Sequence, residues 1–131
     1  MRFLLDTHTF LWANAHPERL GNQRNIVEDR HNDRIVSAVV SLEIAIKVGL
    51  GRLHLPAEPD MWIPARLKSM AAIPIGIEHR HTFGVSSLPP IHRDPFDRLL
   101  VAQAQDLQLP IMTADTKIAA YDVEVLMIHP S

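Results

Sequence analysis

Asp94, Asp97 and Asp115 lie within HRDPFDRLLVAQAQDLQLPIMTAD, residues 92–115, and their types and spacing invite a chemical reading first. Asp94-Pro95 reads as a helix N-cap followed by proline at the first helical position, where a missing N–H is harmless. Phe96, Leu99, Leu100, Ala104 and Leu107 recur at helical spacing, so the helix runs to about Leu107. Gln108-Leu109-Pro110 breaks it, and 110–113 reads as a short buried strand. The helix carries the chain about 15 Å away from Asp97. Four or five extended residues bring it back by about 13–16 Å. Asp115 therefore ends level with Asp97, beside a helix N-terminus whose partial positive charge favours carboxylates.

Two more acids belong to the same argument. Asp6 closes the apolar strand of residues 2–5, at the place where open α/β sheets bind ligands. Glu43 sits in the apolar run SAVVSLEIAIKVGLG, residues 37–51, just after a second strand. Each acid has an ordinary structural use: Asp6 and Asp115 as caps, Asp97 as a first-turn acid, Glu43 as the i,i+4 partner of Lys47. Asp94 is either a cap or a ligand. Asp6, Glu43, Asp97 and Asp115 nevertheless all fall at strand ends or in the first turns that follow, which a right-handed α/β sheet collects on one edge. Four converging carboxylates repel unless neutralised, and hard oxygen ligands suit Mg²⁺ or Mn²⁺. Such a cup can hold one or two ions that activate water for phosphoryl displacement.

Near the cup, His8 and His92 read either as surface residues or as contacts to substrate. Arg98, directly after Asp97, reads either as a residue near the scissile phosphate or as an ion-pair partner within the fold. The remaining histidines, including His79 and His81, lack zinc-site spacing and read as surface residues. Gly49-Leu50-Gly51 lacks the pattern of a phosphate loop, and no serine stands in a nucleophile elbow.

The elements that must position these residues follow in order. After the strand of residues 2–5, a helix starts near Phe10 and breaks at His16-Pro17; residues 22–31 read as a polar surface helix. Residues 34–37 form a strand, and the helix after it presents Leu42, Ala45, Ile46 and Gly49 as its apolar face. A helix over 61–71 carries Pro64 in its first turn, and 73–77 reads as an edge strand because of Pro74. A short helix over 78–87, a helical turn over 116–120 and a strand over 123–128 complete the list. The alternation predicts an α/β domain, residues 1–131, with a mainly parallel central sheet flanked by helices.

Composition fits that class. The chain has 131 residues, 47% of them hydrophobic and 21% charged, enough apolar material for one core. No apolar run approaches the length of a membrane span, so no membrane partner is expected. The absence of cysteine points to a reducing cytoplasm as its location. A net charge of −2 does not advertise nucleic-acid binding. A polyanionic partner would need a metal or local cations such as Arg52, His54, Arg66, Lys68, Arg80, Arg93 and Arg98.

LLDTHTFLW, SAVVSLEIAIKVGLGRL, HRDPFDRLLVAQAQ and LPIMTAD, in that order, resemble the PIN-domain ribonucleases, and most closely the VapC-type toxins of bacterial toxin–antitoxin modules. By that resemblance Asp6, Glu43, Asp97 and Asp115 match the family's catalytic and metal-binding acids, with Asp97 rather than Asp94 opening the Leu-Leu-x-Ala helix. Thr113 matches a threonine whose hydroxyl orients a carboxylate. The resemblance implies Mg²⁺- or Mn²⁺-dependent endoribonuclease activity on RNA, a homodimer, and inhibition by a small cognate antitoxin. Two departures stand out: Leu42 occupies a place often aromatic, and Thr116-Lys117 after Asp115 offers no further acid. Two other classes compete. An aspartate-nucleophile phosphatase would use Asp6, but its usual second aspartate is replaced by His8. A non-catalytic α/β binding module would use the acids only to hold a basic partner.

Overall fold

The computed structural model describes residues 1–129. Five short strands make one wholly parallel sheet: β1 (Arg2–Leu5), β2 (Asp33–Ser37), β3 (Ile73–Ile75), β4 (Ile111–Thr113) and β5 (Val125–Met127), in the order β3-β2-β1-β4-β5. Parallel neighbours require crossovers, and helices supply them: α1 (Thr7–Ala15), α2 (Arg24–Glu28), α3 (Ala38–Gly49), α4 (Pro59–Ser69), α5 (His79–Gly84), α6 (Pro95–Leu107) and α7 (Thr116–Ala119). The chain winds outward from β1 through β2 to β3, then returns to β4 on the other side of β1. The strand order therefore reverses between β1 and β4, and a crevice opens there at the carboxyl ends of the strands.

β1 and β4 are buried on both faces, as central strands of such sheets must be. Phe3, Leu4, Leu5, Ile111 and Met112 are wholly inaccessible and pack with Phe10, Ile44 and Leu100 from the covering helices. Pro74 lies on β3 at the edge of the sheet, where its missing N–H breaks no ladder bond. Among the described residues no helix is long and apolar enough to cross a membrane.

Four local expectations are corrected. The buried face of α3 is Val39, Val40, Glu43 and Ile44, while Leu42 and Ile46 stand 48% and 41% exposed. An almost uniformly apolar run offers two candidate faces. The face that packs into the core starts at Val39, whose N–H donates to the capping Ser37 hydroxyl. α4 begins at Pro59, two residues before the expected start, which puts Pro64 in the second turn. The polar helix expected over 22–31 is a 3₁₀ segment, Pro17–Gln23, bent at Gly21 (φ 51°), followed by the five-residue α2. His81 is buried, its Nδ1 accepting from the Glu78 N–H (3.0 Å) and its Nε2 facing Asp106 Oδ2 (3.1 Å).

Arg34, at the start of β2, is 2% exposed. Its guanidinium donates to the carbonyls of Asn32 (3.2 Å), Val27 (3.0 Å), Met70 (2.6 Å) and Ala71 (3.3 Å). Val27 is in the last turn of α2, and Met70 and Ala71 follow the end of α4. One buried cation thus closes the carbonyl ends of two helices, where the partial charge is negative.

Candidate metal centre

α6 begins as its sequence dictates. Asp94 Oδ1 accepts from the N–H groups of Phe96 (2.8 Å) and Asp97 (3.2 Å), and Pro95 follows it at the first helical position. This cap sets Asp97 three residues on, in the first turn and facing the crevice. Gln108 adopts the left-handed conformation (φ 55°, ψ 47°) and closes the helix, after which β4 returns to the same edge. Asp115 caps α7 through the Lys117 N–H (2.8 Å).

Between Asp97 and Asp115 stands His92. Its Nε2 lies 3.0 Å from Asp97 Oδ2 and 2.9 Å from Asp115 Oδ2. Its Nδ1 accepts from the Asp94 N–H (3.2 Å), so in the neutral ring Nε2 carries the proton, an assignment made from the hydrogen bonds. One potential ligand atom from each of His92, Asp97 and Asp115 falls within 4.8 Å of the others. The sequence set His92 beside the cup as a substrate contact; the fold puts it between two acids.

Asp6 forms the back wall, 4% exposed. Thr113 Oγ1 donates to its Oδ2 (2.6 Å), and Thr9 lies against its Oδ1 through both N–H (3.0 Å) and hydroxyl (2.6 Å). Glu43 is 3% exposed, with Thr7 Oγ1 2.6 Å from Oε1 and Lys47 Nζ 2.5 Å from Oε2. Asp6 also caps α1 and Glu43 also pairs with Lys47, so both structural uses coexist with a place in the cup. Thr7 and Thr9 were not singled out from sequence. The alternation Asp6-Thr7-His8-Thr9 was the available signal, since a buried acid needs hydroxyl donors.

The acids feel one another. Burial, then the charges of Asp94, Asp6 and Glu43, push the Asp97 carboxyl up to about 7, with His92 opposing. Burial also raises Asp6 against the hydroxyls that hold it. The hard carboxylate oxygens, with mutual repulsion to relieve, fit a divalent cation, and the His92 Nε2–H bridges two of them, Asp97 and Asp115.

Arg98 is engaged elsewhere. Its guanidinium donates to the carbonyls of Pro89 (2.9 Å), Val85 (3.2 Å), Leu88 (3.4 Å) and His92 (3.4 Å), and to Tyr121 Oη (3.1 Å). Tyr121 Oη in turn accepts from the His92 N–H (2.7 Å). Arg98, expected near a scissile phosphate or in an ion pair within the fold, here clamps the loop that carries His92 through backbone carbonyls and the Tyr121 hydroxyl. Arg98→Ala is therefore expected to lower stability by about 2–3 kcal/mol. Urea unfolding of the variant beside wild type measures this. Of the other expected rim cations, Arg80 pairs with Glu78 and Asp106 (2.7 Å to the latter), whereas His54 and Arg66 line a groove with His8.

The PIN domain family model matches residues 3–124. The chain belongs to the PIN domain family. Ribonuclease VapC16 of Mycobacterium tuberculosis is 32% identical over 65 residues, which are 50% of this chain and 46% of that protein. The match thus spans about half the length of that relative. VapBC2 from Rickettsia felis, solved on a promoter DNA fragment, superposes with a TM-score of 0.70 at 16% identity, covering 98% of this chain and 100% of the other. A toxin–antitoxin complex from Klebsiella pneumoniae gives 0.64 at 18% identity, covering 98% and 99%. DNA-bound VapBC from Salmonella typhimurium gives 0.65 at 13%, again covering 98% and 99%. At these identities the structures establish a shared PIN fold, with five parallel strands and flanking helices.

Proposed function

We propose that this PIN-domain chain is a Mg²⁺- or Mn²⁺-dependent endoribonuclease, the toxin of a toxin–antitoxin pair. The observation that carries the reading is the convergence of His92, Asp97 and Asp115 within 4.8 Å, backed by Asp6 and Glu43, at the switch point of the sheet. The name of the Mycobacterium relative and the toxin–antitoxin complexes among the structural neighbours support the same class. Asp97 and Asp115, with His92 beside them, would hold the cation, while Asp6 and Glu43 complete the negative field. When bound, the ion lowers the pKa of a coordinated water and neutralises charge on the phosphoryl group. Thr113 fixes the rotamer of Asp6, and Thr7 that of Glu43.

A covalent role for Asp6 fits poorly. Both of its oxygens face hydroxyl groups in a nearly closed pocket, and position 8 offers imidazole rather than a second carboxyl. The remaining parts of the proposal concern partners. A basic, flexible antitoxin segment would compete with the metal for the acids. The exposed apolar side chains Leu42, Ile46 and Leu50, at and beyond α3, with Met61 on α4, suit a homodimer or that partner. The whole chain 1–131 acts as one nuclease domain.

The test is cleavage of RNA by the purified chain with Mg²⁺ or Mn²⁺, with a chelator, and in the Asp6→Asn variant. Cleavage restricted to the wild type with metal is expected. Cleavage that survives chelation, or none under any metal, would refute the reading.

A pH dependence follows. The Asp97 carboxyl titrates near 7 in the fold against 3.8 unfolded, so the folded state binds the extra proton between those values. Its contribution to metal-free stability therefore falls as pH rises from about 4 through about 7. A divalent cation relieves the cost of the charged form, so the rise in Tm with Mg²⁺ should be larger at about pH 8 than at about pH 5.5. Thermal melts at the two pH values check this; an equal rise at both would remove Asp97 from the site.

A further inference from the structure

Both tryptophans of the chain, Trp12 and Trp62, line one groove of about 410 Å³ between α1, α4 and the loop that joins α3 to α4. Leu53, Leu55 and Pro56 of that loop complete its apolar wall. His8, His54 and Arg66 stand at its rim. Among the described residues no aspartate or glutamate lines it, although acids outnumber lysine and arginine 15 to 13 in the whole chain. His8, two residues beyond Asp6 and near enough for its charge to act on that carboxyl, links the groove to the acid cup.

The rings are held in place. Trp62 meets the buried Phe10 edge to face, with centroids 6.0 Å apart at 82°. On α1, the His8 ring lies 5.9 Å from that of Trp12, and Arg19 places its guanidinium carbon 4.9 Å from the Trp12 centroid. Fixed aromatic faces among cationic and imidazole donors, free of acids, suit unpaired nucleobases with their phosphates.

We propose that this groove is the subsite for single-stranded RNA next to the scissile phosphate, with an unpaired base stacked on Trp12 or Trp62 and its phosphates facing His8, His54 and Arg66. The proposal rests on the ribonuclease reading and adds where the substrate lies. It also accounts for how a chain of net charge −2 engages a polyanion: the strand approaches along the acid-free side and meets the acids only at the reacting phosphate. The groove offers the guanidinium of Arg66 and the imidazoles of His8, His16 and His54, so charge complementarity favours RNA over a basic partner segment as the occupant.

Because both indoles lie in the groove, intrinsic fluorescence reports its occupancy. The full chain, with Ca²⁺ replacing Mg²⁺, is titrated with a short single-stranded oligoribonucleotide, an abasic strand of the same length, and duplex RNA. The single strand should change the emission, and the abasic strand should bind roughly tenfold more weakly. In Mg²⁺, Trp12→Leu should raise KM several-fold with kcat nearly unchanged, since stacking is made in ground and transition states alike. Trp12→Phe, which keeps a ring, should restore most of the loss and guards against a folding defect. Arg66→Gln should lower the slope of affinity against salt by about one phosphate contact.

Emission indifferent to single-stranded RNA, with an unchanged KM in Trp12→Leu, would overturn the subsite even if metal-dependent cleavage is confirmed. Emission changes without cleavage in any metal would uphold the subsite and sink the nuclease reading instead. Variants that keep full RNA affinity yet lose assembly with a co-expressed partner chain would reassign the groove to protein docking.

Discussion

Asp97→Asn is expected to abolish RNA cleavage to within about one part in a thousand of wild type, because an ion's several kcal/mol of transition-state stabilisation depends on its ligands. The same variant should melt at a higher temperature than wild type at about pH 8 without metal. Its parent carboxyl is held near 7 by burial and three neighbouring acids, so ionising it costs the fold free energy that a neutral amide does not. Asp94→Asn should behave differently on both counts. Asparagine caps helices as well as aspartate does, and the Asp94 oxygen with known partners serves the N–H groups of Phe96 and Asp97. Cleavage within a few-fold of wild type and little change in Tm are expected. Loss of cleavage in both variants, with folding intact, would make Asp94 a ligand as well.

The second large effect lies at the opposite edge of the sheet. Arg34→Met is expected to cost roughly 3–5 kcal/mol, a large share of the stability of a domain this size. The change strips four carbonyls in three chain segments of a charged donor and leaves the ends of α2 and α4 open. Arg34→Lys should recover only part, because one ammonium cannot span that fan of acceptors. Burial, helped by the nearby charge of Arg30, holds the Arg34 guanidinium below its ordinary pKa, with Asp29 and Asp33 opposing. Urea unfolding of the three proteins measures this, and a loss below about 1 kcal/mol in Arg34→Met would contradict the role given to it.

What the sequence disclosed follows the strength of local signals. Asp94-Pro95, the apolar spacing to Leu107 and the break before Pro110 specify α6 almost to the residue, and the rises per residue return Asp115 to the level of Asp97. β1 was legible because an apolar run meets Asp6 abruptly. α3 was legible as a helix but not in its rotation, since its nearly uniform apolar run offers two faces and only packing against the core selects Val39, Val40 and Ile44. Arg34 gave no signal at all: its partners are backbone carbonyls, two nearby and two 36 and 37 residues away, which no side-chain pattern announces. The same holds for Arg98, whose place beside Asp97 suggested substrate while five acceptors drew it into the 85–92 loop and Tyr121. His92 was placed near the cup by its neighbours, yet its position between two carboxylates needed the fold.

The central claim is that the carboxylates collected at the switch point hold a divalent ion on which RNA cleavage depends. Mn²⁺ titrated into the wild-type chain, with free ion followed by electron paramagnetic resonance and RNA cleavage followed in the same samples, tests it most directly. Uptake of one or two ions per chain, cleavage rising along the same saturation curve, and loss of both in Asp97→Asn are the predicted result. Cleavage at full rate before any Mn²⁺ is bound, or unchanged uptake in Asp97→Asn, would contradict it.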